Sequence, residues 1–390
     1  MKHYKYLIIG GGLAADAATR GFRELDEDGS IGLLSMEPDP PYMRPNLSKG
    51  LWKGRPVEKI WRKTEERAEL LLGRKATELD PKNKSVRDDK GEEYTYEKLL
   101  IATGGSPIHF PFGNGNVIYF RDFQDYQRLR KMAEEKKRFV VVGGGFIGTE
   151  IAAALTMVGA QVTMVFLEEA IGGLVFPSDL AHFLNDHYRE KGVEVVPNET
   201  VASVQKEGDR IIVRTGSGHA IETDGVVAGI GIRPNVGLAE AAGLEVGNGI
   251  VVNERLETSA PDVYAAGDVA NFYHVALGKR TRVEHEDNAV SMGKLAGQNM
   301  AGGNATYDRI PMFYSDLFEL GYEAVGELNS RLEMVSDWQE PFQKGTVYYL
   351  EDGRVRGVLL WNFWKQVGNA RELMMEQGPF KAQDLVGKIK

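Results

Sequence analysis

The sequence predicts an α/β fold in which one strand–turn–helix unit occurs twice, followed by a C-terminal α+β module. The unit is clearest in residues 139–150, FVVVGGGFIGTE, where a short apolar run precedes a glycine-rich turn and a helical segment. Residues 4–15, YKYLIIGGGLAA, carry the same pattern roughly 130 residues earlier. After about residue 307, aromatic residues become frequent and the strand-like segments alternate, which favours an antiparallel sheet.

The turn in residues 139–150 has the spacing Gly143-x-Gly145-x-x-Gly148. Gly143 permits a tight turn, Gly145 lets a pyrophosphate approach the backbone, and Gly148 lets the helix pack closely on the strand. The phosphates would then lie at the helix N-terminus. Helical composition continues over residues 151–158, with Gly159 where a helix would stop. This unit predicts a dinucleotide-binding domain.

The acid that follows the next strand indicates which dinucleotide binds. A strand is predicted over residues 161–166, and Glu168 follows Gly145 by 23 positions. That is close to the ~20-residue spacing of the acid that binds the adenosine ribose. Glu169 comes next, and no arginine is nearby to receive a 2′-phosphate. The sequence therefore predicts a preference for NADH over NADPH.

The first copy of the pattern reads Gly10-x-Gly12-x-x-Ala15, with a helix to about residue 20 and a second strand over residues 30–35. Glu37 is the better candidate for the ribose acid in this copy, and Asp39 is a further possibility. Two such units predict two bound dinucleotides, one that donates hydride and one that accepts it.

Composition excludes several classes of protein. A chain of 390 residues is long enough for two or three domains. A net charge of −9 without a basic run argues against nucleic acid as a partner. The absence of cysteine excludes disulfides, thiolate metal sites and a CxxC redox pair. Seven scattered histidines predict no metal site. No apolar run approaches a membrane span, and the first strand begins at once, so we expect a cytoplasmic protein.

Further candidate residues follow from local patterns. Arg44, in the proline-punctuated segment 41–49, is suited to grip a pyrophosphate, and Lys49 could lie beside a redox-active ring. The alternative for both is an ordinary surface loop. Gly231 ends a buried strand at 225–231, either near a nicotinamide or as a simple turn. Asp268 follows Gly267 at a strand end and could bind a sugar-like hydroxyl.

The remaining elements complete a division into four segments, 1–106, 107–234, 235–306 and 307–390. Helices are expected over residues 122–137, 182–191 and 289–300. Antiparallel strands are expected over residues 201–215 and 220–224. The C-terminal segment should form strands at 323–328, 332–337, 344–351 and 354–361, closed by a helix at 368–377.

Six motifs, at residues 10–15, 41–49, 102–104, 143–150, 258–268 and 283–289, occur in an order that resembles a known family. The chain resembles the FAD-dependent pyridine nucleotide reductases, in the branch of oxygenase-coupled ferredoxin reductases and apoptosis-inducing factor. The stretches PYMRPNLSK, VEHEDNAV, YSDLFELGYEAVG and VLLWN point towards the apoptosis-inducing factors. This resemblance implies a glutathione-reductase-like fold with two Rossmann-like domains and a C-terminal domain.

The resemblance also implies site residues. Phe146 would cover the nicotinamide, and Glu150 would orient its carboxamide and could pair with Lys49. The expected FAD residues are Gly10, Gly12, Leu13, Ala14, Ala15, Glu37, Arg44, Lys49, Thr103, Gly104, Gly267, Asp268, Glu284, His285 and Trp361. The expected NAD residues are Gly143, Gly145, Phe146, Ile147, Gly148, Glu150, Glu168 and Gly231. Those expected to act in catalysis are Lys49, Phe146, Glu150, His285 and Trp361.

The implied activity is hydride transfer from NADH to N5 of FAD, followed by electron transfer to an iron–sulfur protein or a quinone. An alternative is a redox sensor, in which a long-lived charge-transfer complex controls dimerisation or partner binding. A homodimer is therefore a further expectation. Met36 stands where relatives carry the ribose acid, and no targeting segment or long C-terminal insertion is present. Cell-death activity is accordingly not expected.

Overall fold

A computed structural model describes residues 1–113, 115–135 and 138–390. The backbone forms two compact units. Unit 1 comprises Met1–Arg44, Pro56–Ser106 and Arg233–Pro311, and unit 2 comprises Pro45–Arg55, Pro107–Ile232 and Met312–Lys390. Each unit therefore contains one of the two glycine-rich turns. The division into four segments by bound cofactor stays a prediction.

In unit 1 the first fingerprint strand lies in the middle of a largely parallel sheet. Lys2–Ile9 pairs with Ile31–Leu34 on one side and with Glu93–Ile101 on the other. Glu69–Leu71 extends the sheet beyond Ile31–Leu34, and Val263–Ala265 lies parallel to Glu93–Ile101. The fingerprint strand thus stands where the strand order reverses, which is where α/β sheets bind ligands.

Shorter elements complete unit 1. Its other strands are Ala76–Asp80, Ser85–Asp88, Val246–Gly247, Gly249–Val251, Ala270–His274 and Lys279–Thr281. Its helices are Leu13–Arg23, Gly237–Ala241 and Glu286–Met300, with 3₁₀ turns at Val57–Lys59, Thr64–Glu66 and Gly267–Val269. The 3₁₀ turn Arg44–Leu47 and the strands Gly105–Pro107 and Ile232–Pro234 lie where the chain passes between units.

Unit 2 repeats this arrangement around the second fingerprint strand. Arg138–Val142 lies between the parallel strands Gln161–Val165 and Gly225–Ala228. Glu194–Val196 and Val117–Tyr119 form the two edges. The two sheets therefore share one strand order around their fingerprints, and the predicted fold class is confirmed.

The helices of this part of unit 2 are Phe123–Glu135, Phe146–Met157 and Ser178–Glu190. An antiparallel sheet is formed by Val201–Glu207, Arg210–Thr215 and Ala220–Thr223. Residues 136 and 137 of the helix predicted over 122–137 lie outside the described residues. The fingerprint helix begins at Phe146, five positions before the predicted 151. In the described residues no helix is both long and apolar enough to cross a membrane.

The C-terminal part of unit 2 is an antiparallel sheet, as predicted. Its strands follow the order Met312–Leu317, Leu320–Gly326, Arg354–Trp361, Lys344–Glu351, Glu333–Glu340, and the helices Val367–Met375 and Ala382–Leu385 follow. The first of these strands was not predicted. Ser315 takes one of its buried positions between Phe313 and Leu317, so a polar residue interrupts the apolar alternation.

A buried carboxylate joins the first fingerprint helix to the segment that follows residue 56. Asp16 is fully buried, and its oxygens accept hydrogen bonds from Arg62 Nε at 3.0 Å, Arg67 Nη2 at 2.8 Å and Thr64 Oγ1 at 2.7 Å. Arg20 Nη1 lies 2.7 Å from the same carboxylate. The positive charges of three guanidinium groups are therefore balanced by one buried carboxylate.

Replacing Asp16 with Asn should lower the free energy of unfolding by about 3–5 kcal/mol, because partly buried arginines would lose their counter-charge. Urea unfolding of the purified protein measures this. The matched control is Asp262→Asn, which removes a pair with Lys84 whose side chains are 38% and 41% exposed. The control should cost much less. Equal costs for the two variants would contradict this account of Asp16.

Candidate functional site: two dinucleotide-binding turns and a buried ion pair

The two glycine-rich turns have nearly the same backbone geometry. Gly12 and Gly145 each immediately precede a helix, with φ/ψ of −88°/−170° and −87°/−168°. No other described atom lies within 4 Å of a Cβ built on either residue. A phosphate could therefore approach the backbone at both helix starts. The residues present fit a pyrophosphate at each turn.

The other turn glycines are required by close packing. Gly10 and Gly143 have φ values of +125° and +113°. A Cβ on Gly10 would lie 2.1 Å from the carbonyl oxygen of Ala102, and one on Gly148 would lie 2.0 Å from that of Gly143. These are the turn and helix-packing positions of a dinucleotide-binding motif.

In unit 1 the predicted FAD residues of separate segments meet at Ala14. A Cβ on Gly267 would lie 3.0 Å from the Cβ of Ala14, and one on Gly293 would lie 2.1 Å from its carbonyl oxygen. The turn that carries Asp268 and the helix that follows His285 therefore both lie against the first fingerprint helix. Ala15 is fully buried there, and Leu13 and Ala14 are nearly so.

Thr103 and Gly104 are held by Asn235, which the sequence reasoning missed. Thr103 Oγ1 donates to the Asn235 carbonyl at 2.9 Å, and Asn235 Nδ2 donates to the Thr103 carbonyl at 2.8 Å. The Asn235 N–H also donates to the Gly104 carbonyl at 2.9 Å. Asn235 thus fixes the shape of this loop next to the first fingerprint. Thr103 and Asn235 are 132 positions apart in the sequence, so no local pattern could show their contact.

Glu37 and Arg44 bind each other. Arg44 Nη2 donates to Glu37 Oε1 at 2.6 Å, and Tyr42 Oη donates to Glu37 Oε2 at 2.7 Å. The guanidinium also lies 5.0 Å from the centre of the Tyr42 ring. Binding of the ribose by Glu37 or Asp39 stays a prediction, as does binding of a pyrophosphate by Arg44.

Arg282 organises two other predicted FAD residues. Its Nη1 lies 2.5 Å from Glu284 Oε1 and donates to the Asp268 carbonyl at 3.1 Å. His285 is the residue before the helix Glu286–Met300 and has extended backbone angles. A flavin contact of Asp268, Glu284 or His285 stays a prediction.

In unit 2 a pocket opens at the second fingerprint, and its wall is almost entirely apolar. Glu168 is the one carboxylate among its lining residues in the described part of the chain. The predicted ribose acid therefore shares a pocket with the predicted pyrophosphate turn. The lining residues are Gly144, Gly145, Phe146, Thr149, Glu168, Ile171, Gly172, Gly173, Leu174, Val175, Phe176, Leu317 and Tyr322.

The loop after Glu168 is fixed by contacts from both sides. The Gly172 N–H donates to the Gly144 carbonyl at 2.9 Å, inside the fingerprint turn. From the C-terminal sheet, Tyr349 Oη donates to the Val175 carbonyl at 2.7 Å. The part of the pocket wall formed by Val175 is thus held by the C-terminal sheet.

Other predicted NAD residues have mixed placements. Phe146 and Ile147 are each 37% exposed at the helix start, and the Phe146 ring lies edge-on to Phe313 with centroids 5.6 Å apart. A Cβ on Gly229 would lie 2.9 Å from the Gly148 nitrogen, so Gly229 is the strand-end residue that meets the fingerprint helix. Gly231, two positions later, has a φ of +100°, which favours its turn reading.

The predicted ion pair between Lys49 and Glu150 is present in unit 2. Lys49 Nζ lies 2.7 Å from Glu150 Oε1, and their side chains are 12% and 3% exposed. Lys49 Nζ also lies 5.1 Å from the centre of the Tyr314 ring. A buried pair of this kind requires further hydrogen bonds to offset desolvation.

Two serines supply those bonds, and neither was predicted. Ser48 Oγ donates to Glu150 Oε2 at 2.5 Å, and Ser315 Oγ donates to Oε1 at 2.6 Å. Tyr322 faces Ser315 across the two paired strands. Burial, and then the charge of Glu150, raise the pKa of Tyr322 well above its usual value, so this hydroxyl stays protonated.

Trp361 is buried in the C-terminal sheet. It is 0% exposed, and its indole N–H donates to the Phe342 carbonyl at 2.8 Å. Its ring stacks on Tyr322 with centroids 5.9 Å apart and lies edge-on to Phe176 at 5.8 Å. Trp361 therefore packs behind two pocket-lining rings, and its contact with a cofactor stays a prediction.

Comparison with known proteins gives the family. The profile of the pyridine nucleotide-disulphide oxidoreductases matches residues 4–293. The chain belongs to this family. Residues 296–340 and 335–376 match the profile described as apoptosis-inducing factor, mitochondrion-associated, C-term. The predicted family is confirmed.

Three relatives define the position of the chain within this pyridine nucleotide-disulphide oxidoreductase family. It is 32% identical to apoptosis-inducing factor 1, mitochondrial, of Dictyostelium discoideum, over 97% of this chain and 79% of that one. It is 35% identical to the 5,5′-dehydrodivanillate O-demethylase ferredoxin reductase subunit of Sphingobium sp., over 96% and 94%. The reductase in the covalent putidaredoxin reductase–putidaredoxin complex has a TM-score of 0.90 and 28% identity, over 97% and 94%.

This oxidoreductase uses FAD and NAD(H), as its family does. It is an FAD-dependent NADH oxidoreductase.

The open space beside Gly145 gives a direct test of the second turn. Gly145→Ala should weaken NAD⁺ binding by about tenfold or more, because the methyl group takes the space that a phosphate needs. The thermal midpoint should change little, since the backbone angles suit alanine. Gly148→Ala is the matched variant and should lower the midpoint, because its methyl group would meet the Gly143 carbonyl. The reverse pattern would contradict the assignment.

Glu168 decides the choice of cofactor. Glu168→Arg should reduce kcat/KM for NADH by about tenfold and raise it for NADPH, because a carboxylate that binds the ribose 2′-OH repels a 2′-phosphate. Steady-state rates with both nucleotides measure the change. The control is Glu169→Arg, the same charge change at a side chain that is 74% exposed and outside the pocket. If both variants shift the preference equally, Glu168 does not read the ribose.

Proposed function

We propose that unit 1 binds FAD, that unit 2 binds NADH, and that electrons leave the flavin one at a time for a small redox protein. The main support for this proposal is that the chain contains no cysteine, although its family is named for disulphide reduction.

The cofactor supplies the redox chemistry: FAD accepts hydride from NADH and can release electrons singly. The residues of this chain bind and orient. In the proposal the backbone at Gly12 and Gly145 holds the two pyrophosphates, and Glu168 holds the NADH ribose. Glu150 positions the nicotinamide end, and Lys49 supplies a fixed positive charge. Phe146 covers the nicotinamide at the pocket entrance.

The missing cysteines narrow the possible acceptors. Reduction of a disulfide proceeds by attack of a thiolate through a mixed disulfide, so a reductase of that kind needs its own cysteines. This chain has none. Electrons must therefore pass from the flavin to the acceptor without a protein thiol. An acceptor that takes electrons at its surface, such as an iron–sulfur protein, meets this condition.

Two relatives support a protein acceptor. The relative from Sphingobium is named a ferredoxin reductase subunit, and the solved structure holds a reductase joined to putidaredoxin. Both cover nearly the whole of this chain. A quinone is the other candidate acceptor, and reduction rates with each acceptor separate the two.

A second candidate function is redox sensing. The match to the apoptosis-inducing factor C-terminal profile and the relative from Dictyostelium favour it. A sensor would stay reduced in air and would change its association state with NADH. The homodimer and the cytoplasmic location expected from the sequence belong to this part of the proposal. Sedimentation with and without NADH tests the dimer.

With saturating NADH, the flavin-loaded protein should reduce a [2Fe–2S] ferredoxin with a kcat of about 1–10³ s⁻¹, the usual range for enzymes. Its oxidation by air or by a soluble quinone should be at least about tenfold slower. Absorbance of the acceptor under anaerobic conditions measures the rate, with NADPH as the control donor.

Two other outcomes would contradict a protein acceptor. Faster reduction of the quinone would identify a quinone as the acceptor. Failure of all acceptors, with flavin absorption that stays bleached in air, would favour the sensor.

A further inference from the structure

Buried polar side chains surround Glu150 beside the nucleotide pocket. Tyr322 lines the pocket and is 1% exposed, and Ser315, which is also 1% exposed, faces it across two paired strands. Ser315 Oγ donates to Glu150 Oε1 at 2.6 Å. Lys49 Nζ lies 2.7 Å from the same oxygen. All four residues belong to unit 2.

The direction of the proton between Ser315 and Glu150 is fixed. A carboxylate can only accept, so the Ser315 hydroxyl must donate to Glu150. A hydrogen bond to an ionised group is stronger than one between neutral groups.

Ser315 has a fixed place in the C-terminal sheet. It faces Tyr322 across the antiparallel strands Met312–Leu317 and Leu320–Gly326. The Tyr322 ring is held between Trp361, stacked at 5.9 Å, and Phe176, edge-on at 5.4 Å. Close packing around Ser315 therefore ties its position to that of the sheet.

We propose that Ser315 is a positioning residue: it locks the Glu150 carboxylate in the orientation that receives the nicotinamide end of NADH. The inference rests on the proposed function, because it takes unit 2 as the NADH site. It goes beyond that function by giving the C-terminal sheet a role in the nucleotide site. The sheet sets the geometry of the acid, and Ser48 holds the other oxygen of the same carboxylate.

Loss of one hydroxyl and general loosening of the fold should affect the two halves of the nucleotide differently. In the proposed binding mode the adenosine half meets Gly145 and Glu168, and the nicotinamide end meets Glu150. Loss of the Ser315 hydroxyl should therefore affect NAD⁺, which carries nicotinamide, and leave ADP-ribose, which does not. A structural defect would weaken both ligands.

Calorimetric titration of the oxidised, flavin-loaded protein with NAD⁺ and with ADP-ribose makes this test. Ser315→Ala should bind NAD⁺ about tenfold more weakly, as expected for a lost hydrogen bond to a charged group. Its affinity for ADP-ribose should stay within about twofold of wild type. Ser315→Thr, which keeps the hydroxyl, should restore NAD⁺ binding.

The same sheet offers a matched control. Thr346 is 1% exposed and lies in the strand Lys344–Glu351. Thr346→Val removes a buried hydroxyl elsewhere in the sheet, and both ligands should bind as in wild type. Unchanged NAD⁺ binding in Ser315→Ala, or an equal loss for the two ligands, would overturn the inference. A wild-type protein that binds neither ligand would instead overturn the proposed function.

Discussion

The structure depends on two turns at which the backbone passes so close to a neighbouring strand end that only glycine fits. At Gly10 and Gly143 the chain turns with positive φ and passes so close to a neighbouring strand end that a Cβ would collide with a carbonyl oxygen. Each turn ends in a helix whose first residues can be approached from outside. The sheet order, the packing of the helices and the two nucleotide sites all follow from this local geometry.

The second constraint is a buried charge in unit 2. Glu150 lies in the first turn and a half of the fingerprint helix, so the helix that binds phosphate also carries the acid. Desolvating this carboxylate is costly, and one lysine and two serines offset the cost. Because one serine comes from the C-terminal sheet, that sheet is part of the site. Ser315 interrupts the apolar alternation of its strand.

The sequence was sufficient for features that depend on local pattern. Both fingerprints, Glu168 after the second strand, and the antiparallel C-terminal sheet could be predicted because turn glycines and strand periodicity are local signals. The Lys49–Glu150 pair came from family resemblance, since no local pattern links positions 101 apart. Asn235, Arg282 and the three arginines around Asp16 were missed for the same reason: their contacts arise only when distant segments pack.

Residue type does not determine exposure. Trp361 is buried behind Tyr322, and Gly229, two positions before Gly231, is the strand-end glycine that meets the fingerprint helix. Ser315 shows the converse case, a small polar residue whose importance is visible only from its burial beside Glu150.

An anaerobic stopped-flow experiment with the flavin-loaded protein and one equivalent of NADH decides whether NADH delivers its hydride to the flavin of this protein. We expect the yellow flavin absorption to bleach in a single turnover while NADH absorption is lost in equal amount. A flavin spectrum that NADH leaves unchanged, in protein that still binds NAD⁺, would contradict it.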